Sequence, residues 1–173
     1  ESLLKTDGKE ESMKYLQEMM YKGKADTTNC GWAMKELCNT SEEARDLINQ
    51  MNENNVTIDE AILNLLINNL LVEDKKEEAQ HVLDVEFERY GLQPNYRTEK
   101  VMANADKLAS IGRTDKMKSL LKRDGKEASM KYLQEMMYNG KANTINCGWA
   151  MKELCNTSEE ARDLINQMNE NNV

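Results

Sequence analysis

The sequence predicts an all-α protein, a right-handed α-solenoid of stacked antiparallel helical hairpins. Three observations carry that expectation. Residues 2–56 recur as residues 119–173, 117 positions later, with five differences: Thr6 against Arg123, Glu11 against Ala128, Lys22 against Asn139, Asp26 against Asn143 and Thr28 against Ile145. Such self-similarity at a fixed period is the signature of stacked repeats, in which each unit buries its apolar face on a neighbour. Apolar residues also recur at spacings of three and four along most of the chain. Finally, one Pro and one Phe in 173 residues leave little material for sheet turns or a compact aromatic core. The whole chain reads as a single helical-repeat domain, 1–173, with residues 57–118 as intervening hairpins between the near-exact copies.

Each element follows from its stripe. Residues 9–21 place Met13, Leu16, Met19 and Met20 on one face, and Gly23 stops the helix. Thr27 or Thr28 caps the next, whose stripe is Cys30, Ala33, Met34, Leu37 and Cys38. After a short turn at 39–41, Thr40 or Ser41 caps a helix carrying Ala44, Leu47, Ile48 and Met51. Helices joined so briefly pack as an antiparallel hairpin. Residues 58–72 are apolar around most of the circumference, which predicts burial between neighbours. The partner helix, 75–90, turns Ala79, Val82, Leu83, Phe87 and Tyr90 to one side and an acidic face to the other, and Gly91 ends it. A Pro94 turn precedes a helix over 97–111, with Gly112 expected to mark the next turn. Residues 114–138 are expected to form one long element bent at Asp124 and Gly125. A separate helix there would give seven helices per period, and an odd number would swap the layers of a two-layer stack between the copies.

Composition limits function. The net charge of −8 and pI near 4.9 argue against general affinity for nucleic acid or an anionic membrane. The cysteines, Cys30, Cys38, Cys147 and Cys155, fall eight apart within each copy. Two helical turns is too far for a disulfide, and the spacing is unlike the tight pairs that hold zinc, so they read as reduced core residues in an intracellular protein. No signal peptide, transit sequence or apolar run of membrane length is present. The sequence opens and stops inside the repeated stretch, so targeting segments would lie outside it.

Nothing in the chain spells out chemistry. The single histidine, His81, sits within an amphipathic pattern, and phosphate-binding loops, nucleophile elbows and metalloprotease motifs are missing. The expectation is a non-enzyme without cofactor or metal. The methionines Met13, Met19, Met20, Met130, Met136 and Met137 read as packing or, alternatively, as a soft peptide-binding face. Trp32 and Trp149 would fill a groove or stack on a base.

Several stretches resemble the helix-turn-helix unit of pentatricopeptide repeat proteins. The opening of that motif is matched by Val56-Thr57-Ile58-Asp59, by Thr27-Thr28-Asn29 and by Thr144-Ile145-Asn146. Its second helix is matched by Glu42-Glu43-Ala44 and Glu77-Glu78-Ala79, and its closing loop by Gly91-Leu92-Gln93-Pro94-Asn95. The spacing here departs from the family's regular repeat length. The resemblance implies single-stranded RNA held in a concave groove, one base per repeat, and a mitochondrial matrix location. By position the base readers would be Asn29, Asp59, Lys100 and Asn146, with Asn54 and Asn95 as second readers. The alternative for Asn29, Asp59 and Asn146 is that they cap or flank helix starts.

Phosphates would need cations, and the densest run is Arg113, Lys116, Lys118, Lys122, Arg123 and Lys126, of which Lys122 and Arg123 are the candidate contacts. Two functions follow. One is a single-stranded RNA-binding module of post-transcriptional organellar RNA metabolism. The other is a scaffold for protein partners, or for self-association through the solenoid ends, without RNA binding. Neither involves a membrane.

Overall fold

The computed structural model describes residues 8–173, and among them it contains helices and no strand. Thr6, the counterpart of Arg123, lies outside the described residues. Nine helices follow in order: α1 (Gly8–Tyr21), α2 (Thr27–Leu37), α3 (Ser41–Glu53), α4 (Glu60–Val72), α5 (Lys76–His81, continuing through Val82–Glu86 to Phe87–Arg89), α6 (Tyr96–Ala103), α7 (Ala105–Tyr138), α8 (Thr144–Glu153) and α9 (Ser158–Glu170). They divide into two compact units, Glu1–Ala105 and Asp106–Val173.

Short polar side chains set the helix starts. Asp26, Thr40, Asp59, Asn95, Asn143 and Thr157 are the N-caps of α2, α3, α4, α6, α8 and α9, each accepting an amide hydrogen from the first turn. In the first unit α1 packs on α2 and α3, α2 on α4, and α4 on α3, α5 and α6. Helices α2, α4 and α6 thus form one layer, with α1, α3 and α5 behind it. Helix α4 sits at the centre, as its nearly all-round apolarity requires: Ile62, Leu63, Leu66, Ile67, Leu70 and Leu71 are all buried. Helix α5 contains a π-helical turn, Val82–Glu86, in which the Phe87 amide donates to the Val82 carbonyl. The wider turn keeps Val82 and Phe87 on the same buried face although five positions separate them.

Three expectations are corrected here. Residues 97–111 do not form one helix: α6 ends at Ala103, where Asn104 caps it through a 2.7 Å bond from Nδ2 to the Lys100 carbonyl. Gly112 does not mark a turn but lies inside helix 105–124. The roughly 1 kcal/mol that glycine costs a helix is overridden by burial of its neighbours Ala109, Ser110, Thr114 and Met117. Lastly, 114–138 is not one bent element. Gly125 takes φ 87 and ψ −179, a conformation open to glycine and strained for other residues, and splits α7 into arms 105–124 and 126–138.

The arms fold back on each other. The Ser129 hydroxyl donates to the Met117 carbonyl at 3.0 Å, and the Lys116 ammonium lies 4.6 Å from the Tyr132 ring centre. In a straight helix residues 116 and 132 would be about 24 Å apart. Counted from Gly8 to Asp124, the period therefore holds seven helices, the odd number that the layer argument had disfavoured. The second unit closes around Met117, Leu133, Met136, Met137, Cys147, Ala150, Leu154 and Leu164.

Candidate interaction surfaces

The structure gives most of the candidate base readers a local occupation. Asp59 accepts from the Ile62 amide at 3.0 Å as the N-cap of α4. Asn95 caps α6, taking the amides of Arg97 and Thr98. Asn29 is the third residue of a capping box, exchanging hydrogen bonds with Asp26 at 2.8 and 3.1 Å. Asn54 closes α3 by donating to the Gln50 carbonyl.

Asn146 goes furthest. It completes a capping box with Asn143, and its Nδ2 donates to the Ser110 carbonyl and the Thr114 hydroxyl at 3.0 and 2.9 Å, within a side chain that has no solvent exposure. An amide enclosed and bonded at both ends presents no edge to a base. Lys100 is exposed on α6.

The basic run is interleaved with counter-charges. Lys118 pairs with Asp115, Arg123 with Asp124 and Lys126 with Glu160, at 2.7, 2.7 and 2.5 Å, and Lys116 caps the Tyr132 ring. Lys122 is exposed. The field of the run toward an approaching phosphate is correspondingly reduced.

A different feature occurs twice. Between α1 and α3 an open groove of about 370 Å³ is lined by Lys9, Glu10, Met13, Glu43, Asp46, Leu47 and Gln50. Between arm 126–138 and α9 a groove of about 390 Å³ is lined by Lys126, Glu127, Met130, Glu160, Asp163, Leu164 and Gln167, the same seven residue types at equivalent positions. Each has a Met–Leu floor and three carboxylates against one ammonium. A Lys–Glu bond bridges each mouth, Lys9–Glu43 at 2.8 Å and Lys126–Glu160 at 2.5 Å, and a glutamine pair stands nearby, Gln17–Gln50 and Gln134–Gln167. Partial burial works to raise the Glu43 pKa, but the bonds from Lys9 and the backbone of Asn39 and Thr40 outweigh it and leave the value below the ordinary one. The Lys126 bond does the same for Glu160, with the Asn156 amide assisting.

Sequence reading missed these grooves because their walls lie about 34 residues apart and only the crossing of two helices joins them. The available signal was the methionine stripe with Met13 and Met130, which the sequence offers as packing or, alternatively, as a soft peptide-binding face.

The copies differ in what covers them. In the first unit the face of α2–α3 is overlaid by α4–α5. The Thr27 hydroxyl donates to the Thr57 carbonyl at 2.7 Å, Arg45 Nη1 to Glu86 Oε1 at 2.8 Å, and Asn52 Nδ2 to the Tyr90 hydroxyl at 2.8 Å. Ser41 gives both its amide and hydroxyl to Glu73, which Lys75 also holds at 2.7 Å. The matching residues of α8–α9, namely Thr144, Ser158, Arg162 and Asn169, are exposed. Ile48 is 4% exposed and its counterpart Ile165 is 44% exposed.

The remaining chemistry is quiet. All four cysteines are free thiols, with burial pushing Cys30 and Cys38 up to about 11. His81 is exposed, and no cluster of metal-binding side chains occurs among the described residues. No described helix is long and apolar enough to cross a membrane. Comparison with protein-family models finds no match to this chain, and no curated protein matches it.

Proposed function

We propose that this chain is a section of α-solenoid scaffold, repeating every 117 residues, that acts by holding protein partners. The observation that carries this reading is the pair of equivalent grooves, each with an apolar Met–Leu floor inside an acidic rim. Methionine floors adapt to irregular apolar side chains, and a rim with more carboxylates than ammonium groups attracts cations, so the fitting ligand is a basic amphipathic helical segment. Two such sites on one chain favour a partner that offers two segments, since tethering converts the second binding step into an intramolecular one. The reading is favoured over single-stranded RNA by the net charge of −8 and by the engagement of Asn29, Asp59, Asn95 and Asn146 at helix starts.

The test is an anisotropy titration of a Lys/Leu amphipathic helix and, separately, of mixed-sequence single-stranded RNA, both at low salt. The expected result is peptide binding that weakens with Asp46→Lys and weakens further when Asp163→Lys is added. Tight RNA binding that depends on Lys122 would overturn the proposal. Peptide binding unaffected by both charge reversals would also overturn it.

A further inference from the structure

The covered face of α2–α3 and the open face of α8–α9 are built from the same sequence: residues 27–56 and 144–173 differ only at position 28 against 145. What seats on the first is therefore a direct guide to what fits the second. Helix α4 lays Ile62 against Gly31, its Cδ1 3.6 Å from where a Cβ would stand there, and nothing lies within 4 Å of the same point at Gly148. Around that apolar contact the first face uses a fixed polar frame: a hydroxyl at Thr27, an amide and hydroxyl at Ser41, a guanidinium at Arg45 and an amide at Asn52. Every one of these groups has an exposed counterpart on α8–α9. Beside them stands Ile165, 44% exposed where its counterpart Ile48 is 4% exposed.

We propose that the α8–α9 face is a docking site for a helical hairpin with the side-chain pattern of residues 57–94. Its occupant carries an aliphatic first helix that lies on Gly148, as Ile62 lies on Gly31, and a second helix that stands beside Ile165, as Val85 and Glu86 stand beside Ile48. A carboxylate near its turn takes the Ser158 amide and hydroxyl, and a second carboxylate, one helix on, takes Arg162. The inference deepens the scaffold reading and rests on it, by naming the class of partner for a surface separate from the grooves. Shape alone does not select the occupant. A hairpin lacking either carboxylate leaves the Ser158 amide or Arg162 covered by protein without a partner, which costs binding and gives the face its discrimination.

The experiment uses the full chain and a labelled hairpin of residues 57–94, read by anisotropy. A second form of the chain, extended after Val173 by that same 57–94 sequence, is read by hydrogen exchange over 158–170. Binding in trans is expected to weaken by about tenfold or more with Ile165→Asp or Arg162→Glu. A hairpin carrying Glu86→Arg should recover most of the loss with Arg162→Glu. In the extended chain the amides of α9 should become protected to the level of α3. Protection in cis without measurable binding in trans supports the site, because the tether supplies the concentration that the free hairpin lacks.

Absence of both would overturn it, as would binding that ignores Ile165→Asp and Arg162→Glu. Asp46→Lys, which disables a groove, should leave hairpin binding unchanged. Failure of the groove proposal and failure of this one are thus read independently.

Discussion

Ser41 donates both its backbone amide and its hydroxyl to the two oxygens of Glu73, each at 2.6 Å. One residue at the start of α3 thereby grips the carboxylate that ends α4, and Lys75 completes the clasp. Replacing Ser41 by Ala removes two charge-assisted bonds at a buried position, the one its hydroxyl donates to Glu73 and the one it accepts from Lys75 at 3.1 Å, and is expected to destabilise the first unit by about 1–2 kcal/mol. Ser158→Ala, at the exposed equivalent, should stay within about 0.5 kcal/mol. Urea unfolding followed in single-tryptophan variants, Trp32 for the first unit and Trp149 for the second, separates the two effects. Equal effects at both serines would contradict the covering of α3 by α4–α5.

The same clasp sets an acid limit. Partial burial works to raise the Glu73 pKa, but the bonds from Lys75 and Ser41 outweigh it and hold the value below its ordinary 4.5. A depressed folded value means the stabilisation is present above pH 4.5 and is lost as pH falls through the lower folded value. Acid unfolding of the first unit should therefore begin below pH 4.5, with Ser41→Ala moving the midpoint upward. A midpoint indifferent to that substitution would show that other carboxylates govern the transition.

Ile48 and Ile165 offer a comparison within one molecule. Truncating Ile48 to Ala should cost about 2–5 kcal/mol, because its neighbours cannot collapse fully into the space. The same change at Ile165 should cost less than about 1 kcal/mol, since nearly half of that side chain already meets water. Chemical denaturation of the two variants gives the answer directly.

Asn146 should tolerate change poorly. Asn146→Ala removes two buried bonds, to the Ser110 carbonyl and to the Thr114 hydroxyl, and leaves that carbonyl only Thr114 as a side-chain donor; it is expected to cost about 2 kcal/mol. Asn146→Asp should be worse, because a carboxylate cannot donate to that carbonyl and would be charged where no solvent reaches. Asn29→Ala loses only a capping-box bond, worth about 1 kcal/mol. Near-equal losses at the two asparagines would argue against the buried network.

Thiol reactivity should divide the cysteines. Burial raises Cys30 and Cys38 to about 11, so in folded protein near pH 8 they should resist a disulfide reagent, while the half-buried Cys155 reacts first. With raised folded values, the associated stability is present below the ordinary 9.0 and is lost as pH climbs toward 11. Timed labelling with peptide mapping reads the order.

Much of the fold was legible because its signals were local. The stripe from Cys30 to Cys38 and the one from Ala44 to Met51 named residues that are all buried, and Asp59 and Thr40 stand where short polar residues before an apolar run should. What escaped depended on tertiary context. Gly112 looked like punctuation, but buried neighbours carry the helix through it, whereas Gly125 looked like a weak bend and is a full reversal. The π-helical turn in α5 was invisible to a 3.6-residue period. Surfaces escaped for the same reason, since the groove joins Met13 to Leu47 across a helix crossing and the difference between Ile48 and Ile165 is written in what lies next to them.

One hairpin and two like acceptor faces also bear on how the chain finds its fold. Helix α3 reaches α4 through six residues, 54–59, while α9 begins 67 residues after Gly91. Loop-closure entropy favours the nearer acceptor by roughly 2 kcal/mol, so connectivity rather than contact chemistry directs α4–α5 to α3 in a single chain. Acceptor faces on other chains compete in proportion to protein concentration, so the misassembly expected of this sequence at high concentration is exchange of the hairpin between chains.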